Sequence, residues 1–514
     1  MNIIRYLNDN AKEIPDKPAV IATDNSITFL ELRDLTFCLA NGLKQFGLKK
    51  NAKIAVCLPN TPEYILSYLA VYSLGGIIVP LDFMFTQSEL LNLLNHSESE
   101  VLITKERRDI DLRKLKQNSR LEYIILLNEQ DSELMDPVRK EATNRSGFSN
   151  WVNFRNLIKE NSPEEPQIEI LDSDYSTIFY TSGSTGHPKG VLLNYKHLDA
   201  PVKACEHLVH LTRQDIVFNA MPLSHAAGWV FFMDMLYFGM TMVLQERFLP
   251  LECLKKIERY KVTFLCLVPS MYIAMLSLKE FKKFDLSSLR YVVVFGAPSS
   301  PVLLRRFHQI CPNAHLLNGW GMTETSPPNI VLPLDSNRIE SIGKPAPWIE
   351  VKIFNEDDRE VGIGQIGELV IRSWVVMEGY YREPELTSKV IRNNWFHTGD
   401  LARMDSEGLL YIVGRKKEMI KVAGEIVYAP EVEEVIHRHP KVNEVAVVGV
   451  SDKLRGEVPK AFLVLKKEEK LTEDELRFFC RQHLAHFKIP HYYEFRDSLP
   501  KTRSGKIDKA NLVQ

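Results

Sequence analysis

The sequence predicts an α/β fold with a large N-terminal domain of several subdomains on parallel-rich sheets and a small α+β domain at the C-terminal end. The chain has 514 residues, more than one hydrophobic core usually supports, so two or more domains are expected. Short β-branched runs alternate with helical patterns in the N-terminal part, which is typical of parallel sheets joined by helices. After about residue 362 glycines cluster and short strand-like runs follow, which indicates a second architecture.

Strand and helix patterns follow one another in a regular order. In the N-terminal part each predicted strand precedes a predicted helix: Lys53–Cys57 with Thr61–Leu74, Phe264–Val268 with Ser270–Leu278, and Tyr291–Phe295 with Val302–Ile310. In the C-terminal part the expected elements are helices at Ala429–His437 and Glu473–His483, and strands at Val445–Val450 and Lys460–Leu465.

Two stretches have an unusual composition. Tyr64–Leu81 is nearly apolar and about long enough to span a membrane. Gly75-Gly76 and Pro80 interrupt it, which favours a buried helix, a turn and a short strand over a transmembrane segment. Lys105–Asp172 is polar and charged, and is expected to be a surface region with a loop near Glu141–Ser149.

The overall composition excludes several classes of protein. Apolar residues make up 45% and charged residues 25% of the chain, as in ordinary soluble proteins, and a net charge of −2 gives no nucleic-acid footprint. The seven cysteines are scattered without a CxxC pair, which argues against a zinc site or a disulfide framework and for buried thiols in a reducing compartment. The N-terminal residues show no signal-peptide pattern, so a cytoplasmic protein is expected.

The strongest motif is the loop Tyr180–Gly190. It combines three glycines, four serine or threonine hydroxyls and one lysine, and the apolar Ile178–Tyr180 before it is typical of the end of a buried strand. Backbone N–H groups, hydroxyls and a lysine are suited to a polyphosphate, and strand ends are where α/β sheets usually hold nucleotides. The spacing is not that of a Walker A loop, because Lys189 is followed by Gly190. A flexible Ser/Gly linker is the alternative.

Three further motifs follow in order: Asn318–Thr325, Trp395–Asp400 and Pro500–Ile507. Together with the loop they resemble the signatures of the adenylate-forming enzymes, which include acyl-CoA synthetases, adenylation domains of peptide synthetases and beetle luciferase. Phe295–Pro298, Gly367–Leu369 and Ala485–Pro490 also match, so the resemblance covers nearly the whole chain. It implies a large adenylation domain over residues 1–414, a hinge at 415–417 and a small mobile domain over 418–514.

The resemblance also implies a nucleotide site. Trp320 would stack on adenine, and Asp400 and Arg415 would hold the ribose. Glu324 would help to hold Mg²⁺, and Thr323 would donate to phosphate. The residues implied for ATP binding are Thr181, Ser182, Gly183, Ser184, Thr185, Gly186, Lys189, Gly296, Ala297, Pro298, Asn318, Gly319, Trp320, Gly321, Met322, Asp400 and Arg415.

The C-terminal motif carries the implied catalytic lysine, Lys506. A carboxylate that attacks the α-phosphate brings two negative groups together, and a desolvated ammonium relieves that repulsion. In the relatives that use coenzyme A the small domain rotates about a hinge residue, which is Lys417 here. The loop that then faces the thiol tunnel contains Gly424. Without the resemblance, Pro500–Ile507 would be read as a basic tail.

The acyl pocket is implied at Pro222–Trp229. His225 would lie beside the substrate carboxylate, although a core histidine is the alternative, and Trp229 resembles a gating tryptophan. Relatives that activate amino acids have an aspartate at the position of Ala226, so an ammonium would lack a partner here. Phe295 replaces a glycine of the family pattern and is expected to narrow the pocket. An apolar wall of Phe231, Phe232 and Met233 favours a fatty, medium-chain or aryl carboxylate.

Several functions remain compatible with these motifs. The favoured one is a magnesium-dependent ligase that joins a small carboxylic acid to coenzyme A at the expense of ATP, without nucleic acid or a transmembrane segment, and with a homodimer left open. A ligase that loads a carrier protein, a luciferase-like oxidase and a non-catalytic nucleotide-binding protein are the alternatives. The last is disfavoured because Glu324, Asp400 and Lys506 are all present, and nucleotide binding alone does not need Lys506.

Overall fold

The computed structural model describes residues 3–23, 25–127, 150–181, 188–296, 301–423, 425–452, 454–501 and 507–512, with only the backbone at 301–304 and 510. In chain order the strands are β1 (Pro18–Ala22), β2 (Asn25–Thr28), β3 (Lys53–Cys57), β4 (Ile77–Pro80), β5 (Val101–Lys105), β6 (Tyr123–Leu127), β7 (Trp151–Asn153), β8 (Tyr175–Thr181), β9 (Lys189–Asn194), β10 (Ile216–Asn219), β11 (Thr241–Leu244), β12 (Phe264–Leu267), β13 (Tyr291–Val294), β14 (His315–Trp320), β15 (Ile330–Val331), β16 (Lys344–Pro345), β17 (Glu350–Phe354), β18 (Gly367–Arg372), β19 (Gly379–Tyr380), β20 (Ile391–Arg392), β21 (Trp395–Met404), β22 (Leu410–Arg415), β23 (Met419–Val422), β24 (Glu425–Tyr428), β25 (Val442–Asp452), β26 (Gly456–Leu465) and β27 (Tyr492–Phe495).

The α-helices lie mainly between strands. They are α1 (Ile3–Glu13), α2 (Phe29–Lys44), α3 (Pro62–Ser73), α4 (Gln87–Ser97), α5 (Leu112–Gln117), α6 (Phe154–Lys159), α7 (Ala200–Leu208), α8 (Ala226–Phe238), α9 (Pro250–Tyr260), α10 (Pro269–Leu276), α11 (Pro301–Ile310), α12 (Pro384–Val390), α13 (Ala429–His437) and α14 (Glu473–His483). Short 3₁₀ helices include Thr323–Thr325, Lys416–Glu418 and Lys509–Leu512.

Over the described ranges these strands form four sheets. The first has the order β16-β15-β14-β13-β12-β10-β11-β1-β2, and its run from β14 to β1 is parallel. The second has the order β19-β9-β8-β4-β3-β5-β6-β7, and its run from β8 to β7 is parallel. The third sheet (β17-β18-β21-β20, with β22 on β21) is antiparallel. The predicted α/β class with parallel-rich sheets is therefore confirmed.

The fourth sheet belongs to the smaller C-terminal domain. It has the order β24-β23-β26-β25, with β27 beside β26, and helices α13 and α14 share its apolar core. Val432, Val447 and Leu476 lie in that core, which is built from residues after 419. The bounds of both helices are those predicted, whereas β25 and β26 are longer because they pair as one continuous hairpin.

The apolar stretch Tyr64–Leu81 forms the predicted helix, turn and strand. Helix α3 is buried around its whole circumference, Gly75 turns with a φ of +64°, and β4 enters the second sheet. A positive φ is costly for residues with a Cβ, so glycine suits this turn. In the part of the chain that the structure describes, no helix is both long and apolar enough to cross a bilayer.

The prediction of a surface region over Lys105–Asp172 is wrong in part. Strand β6 carries four consecutive buried residues from Ile124 to Leu127, and β6 and β7 extend the second sheet. The polar residues on either side of this short apolar run led to the prediction of a surface region. A run of this length is nevertheless enough for a strand in a parallel sheet. The loop expected near Glu141–Ser149 lies outside the described residues.

Helix starts follow local chemistry. Helices α2, α4 and α14 each begin with a complete capping box, in which a threonine and the glutamate three residues later satisfy each other's backbone N–H groups: Thr28 with Glu31, Thr86 with Glu89, and Thr472 with Glu475.

All seven cysteines are free and buried, as the apolar context of several of them predicted.

Candidate active site

The predicted site segments start from one edge of the first sheet. Strands β10, β12, β13 and β14 are neighbours in this sheet and all run parallel, so their carboxyl ends lie at the same edge. The implied acyl segment follows β10, the Phe295–Pro298 segment follows β13, and the Trp320–Thr325 segment begins at the last residue of β14. This edge is the usual ligand position of a parallel α/β sheet.

The phosphate loop belongs to the second sheet. Thr181 ends β8 and pairs with Lys189, which starts β9, so the loop closes an antiparallel hairpin. A Walker A loop instead joins a strand to a helix, so the hairpin agrees with the different spacing of the motif. The implied phosphate ligands Ser182, Gly183, Ser184, Thr185 and Gly186 lie outside the described residues.

Lys189 and Glu324 meet at one tyrosine. The Tyr380 hydroxyl donates a hydrogen bond to Glu324 Oε1 at 3.0 Å, and Lys189 Nζ lies 5.2 Å from the centre of the Tyr380 ring. Tyr380 lies in β19, which pairs with β9, and the backbone N–H of Met377 donates to the Glu324 carbonyl at 2.8 Å. The Glu324 carboxylate is therefore linked through Tyr380 of β19 to β9, the strand that follows the phosphate loop.

Glu324 is a buried carboxylate in a cationic setting. Burial raises its pKa, and the Tyr380 hydrogen bond and the charges of Arg415 and Lys189 counteract that rise. A cation beside the carboxylate would compensate for its lost hydration. Thr323, the neighbouring hydroxyl, begins the 3₁₀ helix and is half-buried. A hard, oxygen-preferring cation such as Mg²⁺ fits this donor set.

The implied adenine and ribose residues are in direct contact. The indole N–H of Trp320 donates to Asp400 Oδ2 at 2.8 Å, and Arg415 Nε lies 2.9 Å from Asp400 Oδ1. Trp320 and Asp400 are buried, whereas the Arg415 side chain is 46% exposed. Strand pairing sets Asp400 opposite Arg415, while Trp320 comes from the first sheet.

Phe295 packs against the glycines of the second motif. A Cβ at Gly319 would lie 3.2 Å from the Phe295 ring, and one at Gly321 would lie 3.1 Å from it. Small residues at these two positions therefore make room for the ring. Gly296 adopts a φ of +84°, and Ala297 and Pro298 lie outside the described residues.

Asn318 and Met322 are set among structural contacts. The Asn318 amide donates to the Ser341 carbonyl at 3.1 Å, so its NH₂ group holds a neighbouring segment. Met322 is half-buried, and its backbone N–H donates to the Thr325 hydroxyl at 3.3 Å. Their implied role in ATP binding stays a prediction.

His225 and Trp229 lie at and near the start of α8. His225 is the residue before the helix, and its Nε2 lies 3.9 Å from Asp82 Oδ2, which follows β4. Trp229 is fully buried and packs edge-on against Phe179 at 5.6 Å between ring centres. Phe231, Phe232 and Met233 are buried as well. The acyl segment thus lies between both parallel sheets.

The predicted hinge lies between the third and fourth sheets. Lys417 is exposed in the 3₁₀ helix Lys416–Glu418, between β22 and β23. Its neighbour Lys416 forms an ion pair of 3.1 Å with Glu368. Gly424 and Lys506 lie outside the described residues.

The residues on either side of the implied catalytic loop are well anchored. Lys501 pairs with Ile507 as an isolated bridge and forms an ion pair of 2.8 Å with Glu444. Lys509 lies 2.8 Å from Glu433 and 3.2 Å from Glu418, and these carboxylates raise its pKa against the effect of burial.

Sequence reasoning missed three residues of this site: Tyr380, Asp82 and Lys509. Tyr380 and Asp82 contact implied functional residues only through the tertiary fold, and Lys509 pairs with Glu433 and Glu418 just after Lys506 in the chain. The Gly379-Tyr380 pair carries no periodic signal, and Asp82 directly follows the apolar stretch Tyr64–Leu81. Tyrosine, aspartate and lysine occur in many structural roles, so the residue types of Tyr380, Asp82 and Lys509 did not indicate a site.

Two family models match the chain. Residues 7–381 match the model described as AMP-binding enzyme, and residues 431–506 match the AMP-binding enzyme C-terminal domain. A long-chain-fatty-acid–CoA ligase from Bacillus subtilis (strain 168) is 33% identical over 525 residues, which covers 99% of this chain and 93% of that protein.

Solved structures agree. The structure of an anthranilate CoA ligase in complex with anthranoyl-AMP has a TM-score of 0.90 at 26% identity, covering 100% of this chain and 96% of the other. The o-succinylbenzoate coenzyme A synthetase from Bacillus subtilis, in complex with ATP and magnesium ion, has a TM-score of 0.83 at 28% identity, covering 99% of each chain.

The chain therefore belongs to the AMP-binding enzyme family and is an acyl-CoA synthetase of the adenylate-forming superfamily. The resemblance stated from the motifs is confirmed. Its reaction class is ATP-dependent acyl-CoA ligation through an acyl adenylate.

Proposed function

We propose that this protein activates a fatty, medium-chain or aryl carboxylic acid as its acyl-AMP and transfers the acyl group to coenzyme A. The observation that supports this most is that the charges of Lys189 and Arg415 act on the buried carboxylate of Glu324, which also accepts a hydrogen bond from Tyr380. Lys189, Glu324 and Arg415 come from three separate segments of the chain. A polyphosphate with a bound cation would satisfy the lysine and the carboxylate together.

The nucleotide would lie across the edge of the first sheet. Adenine would stack on Trp320, and the ribose hydroxyls would donate to Asp400. A carboxylate has about four lone-pair sites, so it is a suitable acceptor for a diol, and Trp320 and Arg415 both contact this one. The phosphate chain would then run toward Lys189 and the loop before it.

The first half-reaction forms the acyl adenylate. A carboxylate oxygen of the acid attacks the α-phosphorus, the bond to the bridging oxygen breaks, and pyrophosphate leaves with that electron pair. Lys506 would hold the attacking carboxylate against the α-phosphate. Glu324 and Thr323 would hold Mg²⁺, which supplies charge neutralisation to the phosphates when bound.

The second half-reaction transfers the acyl group. The thiol sulfur of coenzyme A bonds to the acyl carbon, the bond from that carbon to the phosphate oxygen breaks, AMP leaves, and the thiol proton passes to solvent. We assign the hinge to residues 415–417 with Lys417 as its pivot, the large domain to 1–414 and the small domain to 418–514. Gly424 would leave space for the thiol.

The acid would lie along α8. His225, held near Asp82, would neighbour the carboxylate, and the buried aromatic residues that follow offer an apolar wall. Phe295 lies against Gly319 and Gly321, which would shorten or divert the pocket. The relatives' names span a fatty acid and an aromatic acid, so both classes belong in the test.

We also propose a cytoplasmic location. All seven cysteines are free thiols buried in the protein, which suits a reducing compartment.

The deciding experiment is acid-dependent pyrophosphate release over a panel of straight-chain and aryl carboxylic acids, with and without coenzyme A. We expect release that requires both ATP and an acid, and an acyl-CoA product with AMP when coenzyme A is added. Acyl-AMP that accumulates regardless of coenzyme A would favour a carrier-protein acceptor. Oxygen-dependent product formation would favour an oxidase, and no release with any acid would overturn the proposal.

A further inference from the structure

One hydrogen bond joins the implied base platform to the implied ribose acceptor. The Trp320 indole N–H donates to Asp400 Oδ2 at 2.8 Å, and the two residues are 80 positions apart in the chain. Trp320 is the last residue of β14 in the first sheet, whereas Asp400 lies in β21 of the third sheet. The bond therefore fixes a group of one sheet relative to a group of another.

The hydrogen bond does not use the face of the indole ring. The N–H bond lies in the plane of the ring, so the hydrogen bond to Asp400 uses the ring edge. A base can stack on the face while the carboxylate stays at the edge. In a nucleoside the sugar lies beside the base. When a base stacks on the Trp320 ring, its sugar would therefore lie near the ring edge, where the Asp400 carboxylate is bound.

Arg415, which also contacts Asp400, is less constrained than Trp320. The Arg415 side chain is 46% exposed, and a long exposed side chain retains much of its rotamer freedom. Trp320 is buried and its ring is held by core packing. If the indole donor is removed, Oδ2 loses its bond to a fixed donor, and the carboxylate is held less firmly in its orientation.

We propose that Trp320 is a positioning residue for ribose recognition: its N–H holds Asp400 in the orientation that accepts the ribose hydroxyls. This inference rests on the proposed nucleotide site. One side chain thereby sets both the plane of the base and the direction of the ribose acceptor. Selectivity for ribose over deoxyribose then depends on an atom that does not touch the sugar.

The test is a binding comparison of AMP and 2′-deoxy-AMP by calorimetry on the full chain. The wild type should bind AMP more tightly than 2′-deoxy-AMP. W320F keeps an aromatic ring and removes the donor, and we expect the preference for AMP to fall by about tenfold. W320L should in addition weaken both nucleotides by a common factor, because the stacking surface is lost.

Two controls isolate the N–H group. W348F removes a second indole whose N–H has no partner among the described residues, and should leave the AMP preference unchanged. In a D400N background, W320F should change the preference little, because the group that it positions is already altered. If W320F does not fold, W320L also lacks a donor, and the ratio of its affinities for AMP and 2′-deoxy-AMP serves in its place.

The outcomes separate this inference from the proposed function. Equal weakening of AMP and 2′-deoxy-AMP in W320F would reduce Trp320 to a stacking surface and overturn the positioning role. A wild-type protein that binds no AMP would instead overturn the nucleotide site itself.

Discussion

Asp234 is a buried carboxyl on α8 that the proposed chemistry does not use. It is fully buried, Cys205 Sγ donates to its Oδ2 at 3.3 Å, and its Oδ1 has no hydrogen-bond partner among the described residues. Burial raises its pKa to about 8. The group is therefore neutral near pH 7, which avoids an uncompensated charge in the apolar core.

This carboxyl makes stability depend on pH. Because the pKa is higher in the folded protein than in the unfolded chain, the folded state holds more protons as pH rises from about 4 to about 8, and stability falls over that window. The free energy of unfolding of D234N minus that of the wild type should be larger at pH 8 than at pH 5. We expect this increase to be on the order of a few kcal/mol. Urea unfolding at both pH values measures this, and D16N, at an exposed position, controls for net charge. An equal difference at the two pH values would contradict the assignment.

Tyr380 offers a test of the carboxylate at the proposed metal position. Y380F removes the donor to Glu324 Oε1 and leaves the ring beside Lys189. We expect the Mg²⁺ concentration for half-maximal pyrophosphate release to rise about threefold to tenfold, because the carboxylate loses its orienting bond. Y381F, one residue along the chain, is the matched control and should keep the wild-type Mg²⁺ dependence. An unchanged Mg²⁺ requirement in Y380F would exclude the orienting role.

At the scale of elements, α8 depends on a close backbone contact near its start. A Cβ at Gly228 would lie 2.3 Å from the Pro222 carbonyl oxygen, much closer than any real contact. The segment from Pro222 to His225 therefore folds against the first turn of the helix only with glycine at this position.

We expect G228A to displace the implied acyl segment. Acid-dependent pyrophosphate release should fall by at least about tenfold, because small shifts in substrate position are costly. AMP binding, which in the proposed site would use the ends of other strands, should change little. G362A is the matched control, since its nearest neighbour would be 3.7 Å away. Equal losses of AMP binding and acid activation would indicate general misfolding instead.

The strands and helices that were predicted have local signals. The run Lys53–Cys57 and the helix Glu473–His483 were predicted with the bounds that the structure has, since apolar periodicity and a capping box depend on neighbouring residues alone. Strand β6 was missed because one short apolar run sat among charged residues. The order of strands in each sheet was beyond reach, since pairing joins residues far apart in the chain.

At the scale of the whole molecule, the proposed reaction requires two arrangements of the small domain. We expect K506A to abolish pyrophosphate release from ATP and acid, while thioester formation from supplied acyl-AMP continues at close to the wild-type rate. The reason is that Lys506 would act only on the approach of the carboxylate to phosphorus. K467A, an exposed lysine of the same domain, is the control. Equal loss of both half-reactions would remove this role from Lys506.

The hinge has the complementary expectation. K417P restricts φ at the exposed link between β22 and β23 and should spare adenylation but slow thioester formation at least about tenfold. K416P would not serve as a control, because Lys416 contacts Glu368. Separate assays of the two half-reactions decide the matter, and normal overall turnover would exclude Lys417 as a required hinge.

The sequence by itself determined the class of the protein and the residue types of the implied nucleotide site. Glycines, hydroxyls and Lys189 in one loop indicate phosphate, and the order of the four motifs indicates an adenylate-forming enzyme. Only the tertiary structure decided which groups meet. Trp320 bonds to Asp400 across 80 positions, and Tyr380 to Glu324 across 56. Such contacts depend on how separate sheets pack, and no local pattern of side chains encodes that distance.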